Sequence, residues 1–265
     1  MRQNSVIMEK ISKAQIKLVR SLQQKKFRDE LGLFVAEGDK CVEELRKGFE
    51  LVFRVQSTDR CADRIQTNTL LASSTEIEQM SGLRTPQGVM AVFRKKPIGD
   101  WKLEIGDLVL ALDGIQDPGN LGTIIRTCDW FGVKDIFCSK DTADCYNPKV
   151  VQATMGALAR VRIHYVDLPE WIKEYRVQST EYRPIYGTLL DGENMYDVLK
   201  ANSQEPMAII VMGNEGNGIS EEVRKLVTHP IRIPSYPNKE ASDVVESLNV
   251  SIATAIVLAE FYRLR

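Results

Sequence analysis

Histidine is nearly missing from this 265-residue chain: only His164 and His229 occur. Neither stands beside a serine or cysteine motif suited to nucleophilic catalysis. The five cysteines, Cys41, Cys61, Cys128, Cys138 and Cys145, are scattered and form no Cys-x-x-Cys pair. That spacing gives no ground for a metal site or a disulfide framework, and a reducing, cytoplasmic setting is expected. No apolar run approaches the ~18 residues that a membrane span needs. The opening Met-Arg-Gln-Asn-Ser lacks the apolar core of a signal peptide. A surplus of one charge is lacking too. The net charge is −1, so the chain as a whole is not drawn to nucleic acid. There is no internal repeat and no low-complexity segment.

What is present describes a globular protein with a sizeable core, with 43% hydrophobic and 27% charged residues. Charge is uneven along the chain. Residues 1 to 28 carry eight basic side chains against one acid, Glu9. Ile11 to Gln24 reads as a helix, and Lys10, Lys13, Lys17 and Arg20 recur at 3,4,3 spacing, which places them on one face. This is either a phosphate-contacting stripe, extended by Arg28, or a solvated helix face. Strand-like stretches at Phe34–Gly38, Leu51–Val55 and Gly88–Phe93, with helices at Asp39–Lys47 and Thr75–Ser81, make a small α/β unit. Lys95–Asp100, polar with proline and glycine, is the expected linker. Residues 1–97 and 98–265 are therefore read as two domains.

From Asp107 onward strands and helices alternate regularly. Strands are expected at Leu108–Leu112, Asp135–Ser139, Val161–Val166, Ile185–Leu189, Met207–Met212 and around Ile231. Helices are expected at Leu121–Trp130, Pro148–Leu158, Leu168–Tyr175, after Ser220, and from Glu246 to Arg263. Such alternation argues an α/β fold with a mostly parallel sheet covered on both faces.

Three stretches carry chemistry. The buried run ending at Met212 breaks into Gly213-Asn214-Glu215-Gly216-Asn217-Gly218. It has the Gly-x-x-x-x-Gly spacing of a phosphate loop, but Ile219 stands where that loop needs lysine, so nucleoside triphosphate binding is not expected. The dinucleotide pattern Gly-x-Gly-x-x-Gly is absent as well, which leaves hydride transfer unsupported. Backbone here must approach a ligand closely, and Glu215 is either aimed at a partner or a simple turn carboxylate. In the second stretch, Asp117-Pro-Gly-Asn120 makes a turn with Asn120 as a helix cap. Arg126 lies inside the following apolar helix, where it needs a partner, with Glu215 the candidate. In the third, Ile233-Pro234 precedes Glu246-Ser247-Leu248-Asn249-Val250, with Ser247 as the expected cap of the last helix. The polar Asn249, in an otherwise apolar first turn, needs a specific partner.

Together these stretches resemble the SpoU (TrmH-like) branch of the SPOUT RNA methyltransferases. The resemblance rests on Asp113 through Arg126, Ile210 through Gly218, and Ile233-Pro234 with Ser247 through Ala253, with Gly156-Ala157 between the first two. More weakly, Lys17 through Gly38 resembles the family's substrate-binding domain of the ribosomal-protein L30e kind. The resemblance implies methyl transfer from S-adenosylmethionine to a ribose 2′-hydroxyl of ribosomal or transfer RNA, a C-terminal trefoil knot, and a homodimer with the site near the subunit interface. It implies catalytic roles for Asn120, Arg126, Glu215, Ser247 and Asn249. It implies cofactor contacts at Thr188, Leu189, Met212, Gly213, Asn214, Gly216, Ile233, Pro234 and Leu248, and RNA contacts along Lys10, Lys13, Lys17, Arg20 and Arg28. A non-catalytic RNA-binding assembly factor and a base methyltransferase are the competing readings. One departure stands out: twelve residues, Ser235 to Glu246, separate Pro234 from Ser247, and the family's Met and Gly after Ile-Pro are missing.

Overall fold

A computed structural model of the chain describes residues 9–60, 68–96, 108–178, 183–203, 208–236 and 247–264. Most of the expected linker, residues 97–100, lies outside these, as do Met207 and residues 237–246 of the long segment after Pro234. The knot expected at the C-terminus concerns the chain path through that last segment, so it too falls outside the described residues.

The chain divides into two compact units. The first runs to Pro97 and also takes in Asp144–Ala159. Its elements are β1 (Glu9–Lys10), α1 (Lys13–Ser21), α2 (Lys25–Leu31), β2 (Leu33–Glu37), α3 (Asp39–Leu45), β3 (Leu51–Ser57), β4 (Thr69–Ala72), α4 (Ser74–Met80) and β5 (Val89–Arg94). The strands form a mixed sheet in the order β1-β4-β3-β5-β2. The helix expected over Ile11–Gln24 is the shorter α1, and a second helix, α2, follows beyond it. A capping box between Ser12 and Gln15 starts α1 at Lys13. The chain turns at Gln23-Gln24 before α2, which ends at Gly32 in the left-handed conformation.

The second unit holds β6 (Leu108–Asp113), α5 (Pro118–Phe131), β7 (Asp135–Ser139), β8 (Arg162–Val166), α7 (Leu168–Gln178), β9 (Ile185–Asn194), α8 (Met195–Ala201), β10 (Ala208–Gly213), α9 (Glu221–Arg224), β11 (His229–Arg232) and α10 (Val250–Arg263). Between β7 and β8 the chain makes α6 (Pro148–Thr154) and a 3₁₀ turn at Ala157–Ala159, both in the first unit. The sheet order is β11-β9-β10-β6-β7-β8, and every pairing is parallel. The expected parallel sheet is thus present. Its centre explains the apolar runs: Val109 to Leu112 of β6 and Ala208 to Val211 of β10 are fully buried. Each Val, Leu or Ile so buried contributes roughly 1.5–3 kcal/mol before chain entropy is subtracted.

A single cut at residue 97 therefore does not divide the chain, because Asp144–Ala159 packs with the first unit. Arg28 is only 1% exposed and meets Asp144 at 2.7 Å. Phe34 and Tyr146 rings lie 4.8 Å apart, and the Cys41 thiol donates to the carbonyl of Val151. Burial pushes that thiol up to about 12, which keeps it protonated. At Gly156, φ is +92° and an added Cβ would lie 2.2 Å from Cβ of Glu44. Glycine is required there on both counts.

Candidate active site

The site stands at the carboxyl ends of β6 and β10, where ligands bind in open parallel sheets. Two helix starts aim side chains into it. Asp117 caps α5, accepting from the backbone N–H of Asn120, and Pro118 fills the first helical position. Asn120 is thereby not the expected cap but the third residue inside α5. Asn249, not Ser247, caps α10: its Oδ1 accepts from the N–H groups of Ser251 and Ile252. That cap orients the amide and leaves Nδ2 as a free donor pointing away from the helix.

Between the two caps sits Glu215. Its Oε1 accepts from Nδ2 of Asn120 at 2.9 Å, Nδ2 of Asn249 at 2.8 Å and the N–H of Val250 at 3.1 Å. Asn249 Nδ2 also donates to Oδ1 of Asn120 at 2.9 Å, closing a ring of three side chains. Three donors saturate one carboxylate oxygen, and among the described residues Oε2 meets no partner.

A second layer holds the glycine turn. Asp113 ends the otherwise apolar β6 and is 8% exposed. Its Oδ2 accepts from both the N–H and the hydroxyl of Ser220 at 2.7 Å. Asn214 donates to the carbonyl of Gly114 at 2.7 Å and accepts from the N–H of Gly216 at 2.8 Å. The backbone of Asn214 pairs with that of Gly218 in both directions. At Gly213 an added Cβ would lie 2.3 Å from the backbone of Gly218, so the turn closes only with glycine. Sequence reasoning missed Asp113 as a support. The available signal was a carboxylate closing an all-apolar strand.

The expected Arg126–Glu215 pair is not formed. Six residues along a helix turn Arg126 about 120° away from Asn120 and about 9 Å along the axis. Leu121, Ile124, Ile125 and Cys128 take the buried face. Arg126 is exposed instead, on the side that carries Trp130, which is 85% exposed. Among the described residues Arg126 makes no hydrogen bond or ion pair. Ser247 is exposed, and its hydroxyl likewise meets no described partner.

The residues expected to hold a cofactor fit a bent organic ligand lying on backbone. In the β9–β11 pairing, Pro230 faces Gly187 while Ile231 faces Glu193, so Thr188–Gly192 bulge out of the ladder. Thr188 donates its hydroxyl to the carbonyl of Val211 in β10, which sets this bulge beside Met212 and Gly213. Leu190 is 71% and Leu248 47% exposed, apolar surface suited to a purine or a thioether. Ile233 and Pro234 are half-buried after β11. Among the described residues no group of three or more His, Cys, Asp and Glu side chains could hold a metal ion. No described helix is long and apolar enough to cross a membrane.

The basic residues of the first unit separate. Lys13, Lys17 and Arg20 are exposed on α1. Lys10 lies in β1 before the helix and is 3.5 Å from Glu76. Arg28 is not available to RNA. Besides Asp144, its Nη1 donates to the carbonyls of Leu22 and Gln23 at 2.9 Å, so the buried guanidinium is engaged within the protein.

Residues 107–259 match the SpoU rRNA Methylase family, and residues 13–91 match the MRM3-like substrate binding domain. The chain belongs to the SpoU rRNA methylase family. It is 30% identical over 261 residues to the 23S rRNA (guanosine(2553)-2′-O)-methyltransferase RlmP of Bacillus subtilis, covering 97% of this chain and 98% of that protein. Among solved structures, a putative RNA methyltransferase of the TrmH family from Porphyromonas gingivalis superposes with a TM-score of 0.78 at 36% identity, over 96% of this chain and 99% of that one. The AdoMet-bound rRNA methyltransferase from Sinorhizobium meliloti superposes with a TM-score of 0.79 at 28% identity, over 97% of each.

Proposed function

We propose that the protein transfers the methyl group of S-adenosylmethionine to a ribose 2′-hydroxyl of ribosomal RNA. The observation that carries this reading is the closed ring of Asn120, Glu215 and Asn249 beside the Gly213–Gly218 turn, in a chain of the SpoU family. The cofactor supplies an electrophilic methyl group, and Thr188, Leu189, Met212, Gly213, Asn214, Gly216, Ile233, Pro234 and Leu248 are the residues that would hold it.

The chain's own part is positioning and electrostatics. A ribose hydroxyl is a weak nucleophile and must shed its proton as it attacks. The ring fixes the start of α10 against the turn and keeps one open carboxylate oxygen, Oε2 of Glu215, and the Ser247 hydroxyl available to orient the substrate. Arg126 supplies positive potential for the developing alkoxide and clamps the adjoining RNA phosphate. As a guanidinium it does not itself serve as the base, so the 2′-hydroxyl proton passes to the clamped RNA phosphate or to water. Lys13, Lys17 and Arg20 hold RNA phosphates farther along.

The protein works as a homodimer in the cytoplasm. An apolar stripe supports the dimer. Ile252 is 54% and Tyr262 36% exposed on one face of α10, with Ala255, Ile256 and Ala259 between them. Tyr262 stacks on Phe131 of α5 at 5.7 Å, which carries the stripe on toward Trp130. Contiguous exposed apolar surface of this kind marks an association face. Arg126 shares that face of α5, so dimerisation supplies the surroundings its own chain does not.

The test is incubation of the purified protein with S-adenosylmethionine and unmodified ribosomal RNA, followed by nucleotide-resolution mapping of 2′-O-methylation. One new 2′-O-methylated nucleotide is expected. Binding of S-adenosylmethionine and of ribosomal RNA without any methyl transfer would establish the assembly-factor reading instead.

A further inference from the structure

The first unit contains a cavity of about 180 Å³ whose lining includes Gln23, Glu37, Gly82, Leu83, Lys149 and Gln152. Glu37 closes β2 and is 5% exposed. Its Oε2 accepts from the Ser81 hydroxyl at 2.5 Å and its Oε1 from the N–H of Gly82 at 2.8 Å. No basic side chain among the described residues pairs with it. Only neutral groups, the Ser81 hydroxyl and the Gly82 N–H, donate to this buried carboxylate among the described residues. Each oxygen still has capacity for a further hydrogen bond.

The rest of the wall is complementary. Lys149 is exposed at the rim and has no acidic partner among the described residues. The side-chain amide of Gln152 also has no described partner. Gln23 donates to the carbonyl of Met80 at 3.2 Å, which leaves its own oxygen toward Gly82. A Cβ at Gly82 would come within 2.7 Å of that oxygen, so any larger residue there would displace the end of the Gln23 side chain. Val35 and Leu83 give the cavity apolar surface.

We infer that this cavity is a second RNA-recognition site, which takes an unstacked guanine base of the substrate away from the methylated nucleotide. The inference rests on the RNA-methyltransferase reading above. Guanine offers the donor pair that the buried carboxylate lacks, N1–H and N2–H side by side, one for each oxygen of Glu37. Its O6 and N7 are acceptors, suited to Lys149 and the Gln152 amide. Adenine and the pyrimidines do not present two adjacent donors against a carboxylate. Proteins read RNA sequence by capturing splayed bases on their polar edges. A buried carboxylate gives such a site strong discrimination, because a wrong base leaves it unpaired.

The test is equilibrium dialysis of the full-length protein with radiolabelled guanosine 5′-monophosphate, with the adenosine, cytidine and uridine monophosphates as competitors. Weak binding selective for the guanosine nucleotide is expected. Lys149→Ala and Gln152→Leu, both outside the catalytic ring, should each weaken it about fivefold, the loss of one hydrogen bond. Both should raise KM for ribosomal RNA with kcat unchanged. Glu37→Gln should abolish the selectivity; as it also holds Ser81 and Gly82, the other two variants carry the test should it fold poorly. Wild-type protein that methylates ribosomal RNA yet shows no guanosine preference, or variants with unaltered binding, would overturn the inference while leaving the proposed activity intact. Variant-sensitive guanosine binding without RNA methylation would uphold the cavity and remove the activity.

Discussion

The side-chain amide of Asn249 caps α10 with its oxygen and, 2.8 Å away on the nitrogen side, donates to Oε1 of Glu215. One residue thus fixes both the start of the last helix and the Glu215 carboxylate. Asn249→Asp separates the two tasks. Aspartate caps as well as asparagine, so helix content should be retained. The donor is lost, and a second carboxylate faces Oε1 of Glu215 and Oδ1 of Asn120. Losing a hydrogen bond to a charged group costs roughly 1–3 kcal/mol. Single-turnover methylation at saturating S-adenosylmethionine and RNA should fall about 10- to 100-fold. An unaltered rate would remove the ring from the mechanism.

Arg126 is exposed and bonds to nothing described in its own chain, so its replacement should leave the fold alone. Arg126→Ala is expected to keep the thermal midpoint and the affinity for S-adenosylmethionine measured by calorimetry. Methyl transfer should fall about 100- to 1,000-fold, the scale for removing one preorganised charge-stabilising donor. Equal losses in cofactor affinity and rate would instead make Arg126 part of the cofactor site.

The parallel sheet was legible because its central strands are buried on both faces and read as unbroken apolar runs. Asn249 was legible as a polar intruder in an apolar turn. The Arg126–Glu215 pair is not formed because the apolar neighbours of Arg126 in the sequence fill only the inner face of the helix, whereas its outer face carries Thr123, Arg126 and Trp130. Four elements were not expected, among them α2, which lies wholly beyond the helix read over Ile11–Gln24. β1 is two residues long and exists only by pairing with Leu70 and Leu71. β4 is four residues long. α8 was hidden by the turn composition of Leu190-Asp-Gly, which the structure accommodates as a bulge within β9. The docking of Asp144 on Arg28 joins residues 116 apart, and no local pattern reports such a contact.

That contact predicts a stability effect and not a binding effect. Arg28→Met leaves the Asp144 carboxylate nearly buried without its cation. Removing one partner of a buried pair costs about 3–5 kcal/mol. Urea unfolding should show a loss of this order, while RNA affinity of the folded fraction should not change. Lys13→Glu with Lys17→Glu should do the reverse, with the loss of RNA affinity largest at low salt. Reduced RNA binding in a fully stable Arg28→Met protein would restore Arg28 to the RNA surface.

Asp135 sets an acid limit on the second unit. Burial alone would raise its carboxyl, but hydrogen bonds from Arg162 and His164 outweigh burial and hold it below the usual range. A carboxyl depressed on folding contributes stability that is present above the unfolded value, near 3.9, and lost as pH falls through the folded one. Asp135→Asn should therefore lower stability at neutral pH and flatten its decline between about pH 5 and about pH 3. Urea midpoints measured across that range for both proteins check this. Parallel declines would show that other carboxyls govern the acid limit.

Trp130, 85% exposed on the face of α5 that carries Arg126, should be the anchor of the dimer. Large aromatic side chains at the centre of an interface commonly cost 2 kcal/mol or more when truncated, about a 30-fold change in dissociation constant. Trp130→Glu also places a charge there. Sedimentation velocity should show wild-type protein as a dimer and Trp130→Glu as a folded monomer with unchanged helix content. If Arg126 acts only within the dimer, methylation should fall with dimer content and recover at high protein concentration. A fully active monomer would separate Arg126 from any partner subunit and reassign the apolar stripe of α5 and α10 to another ligand.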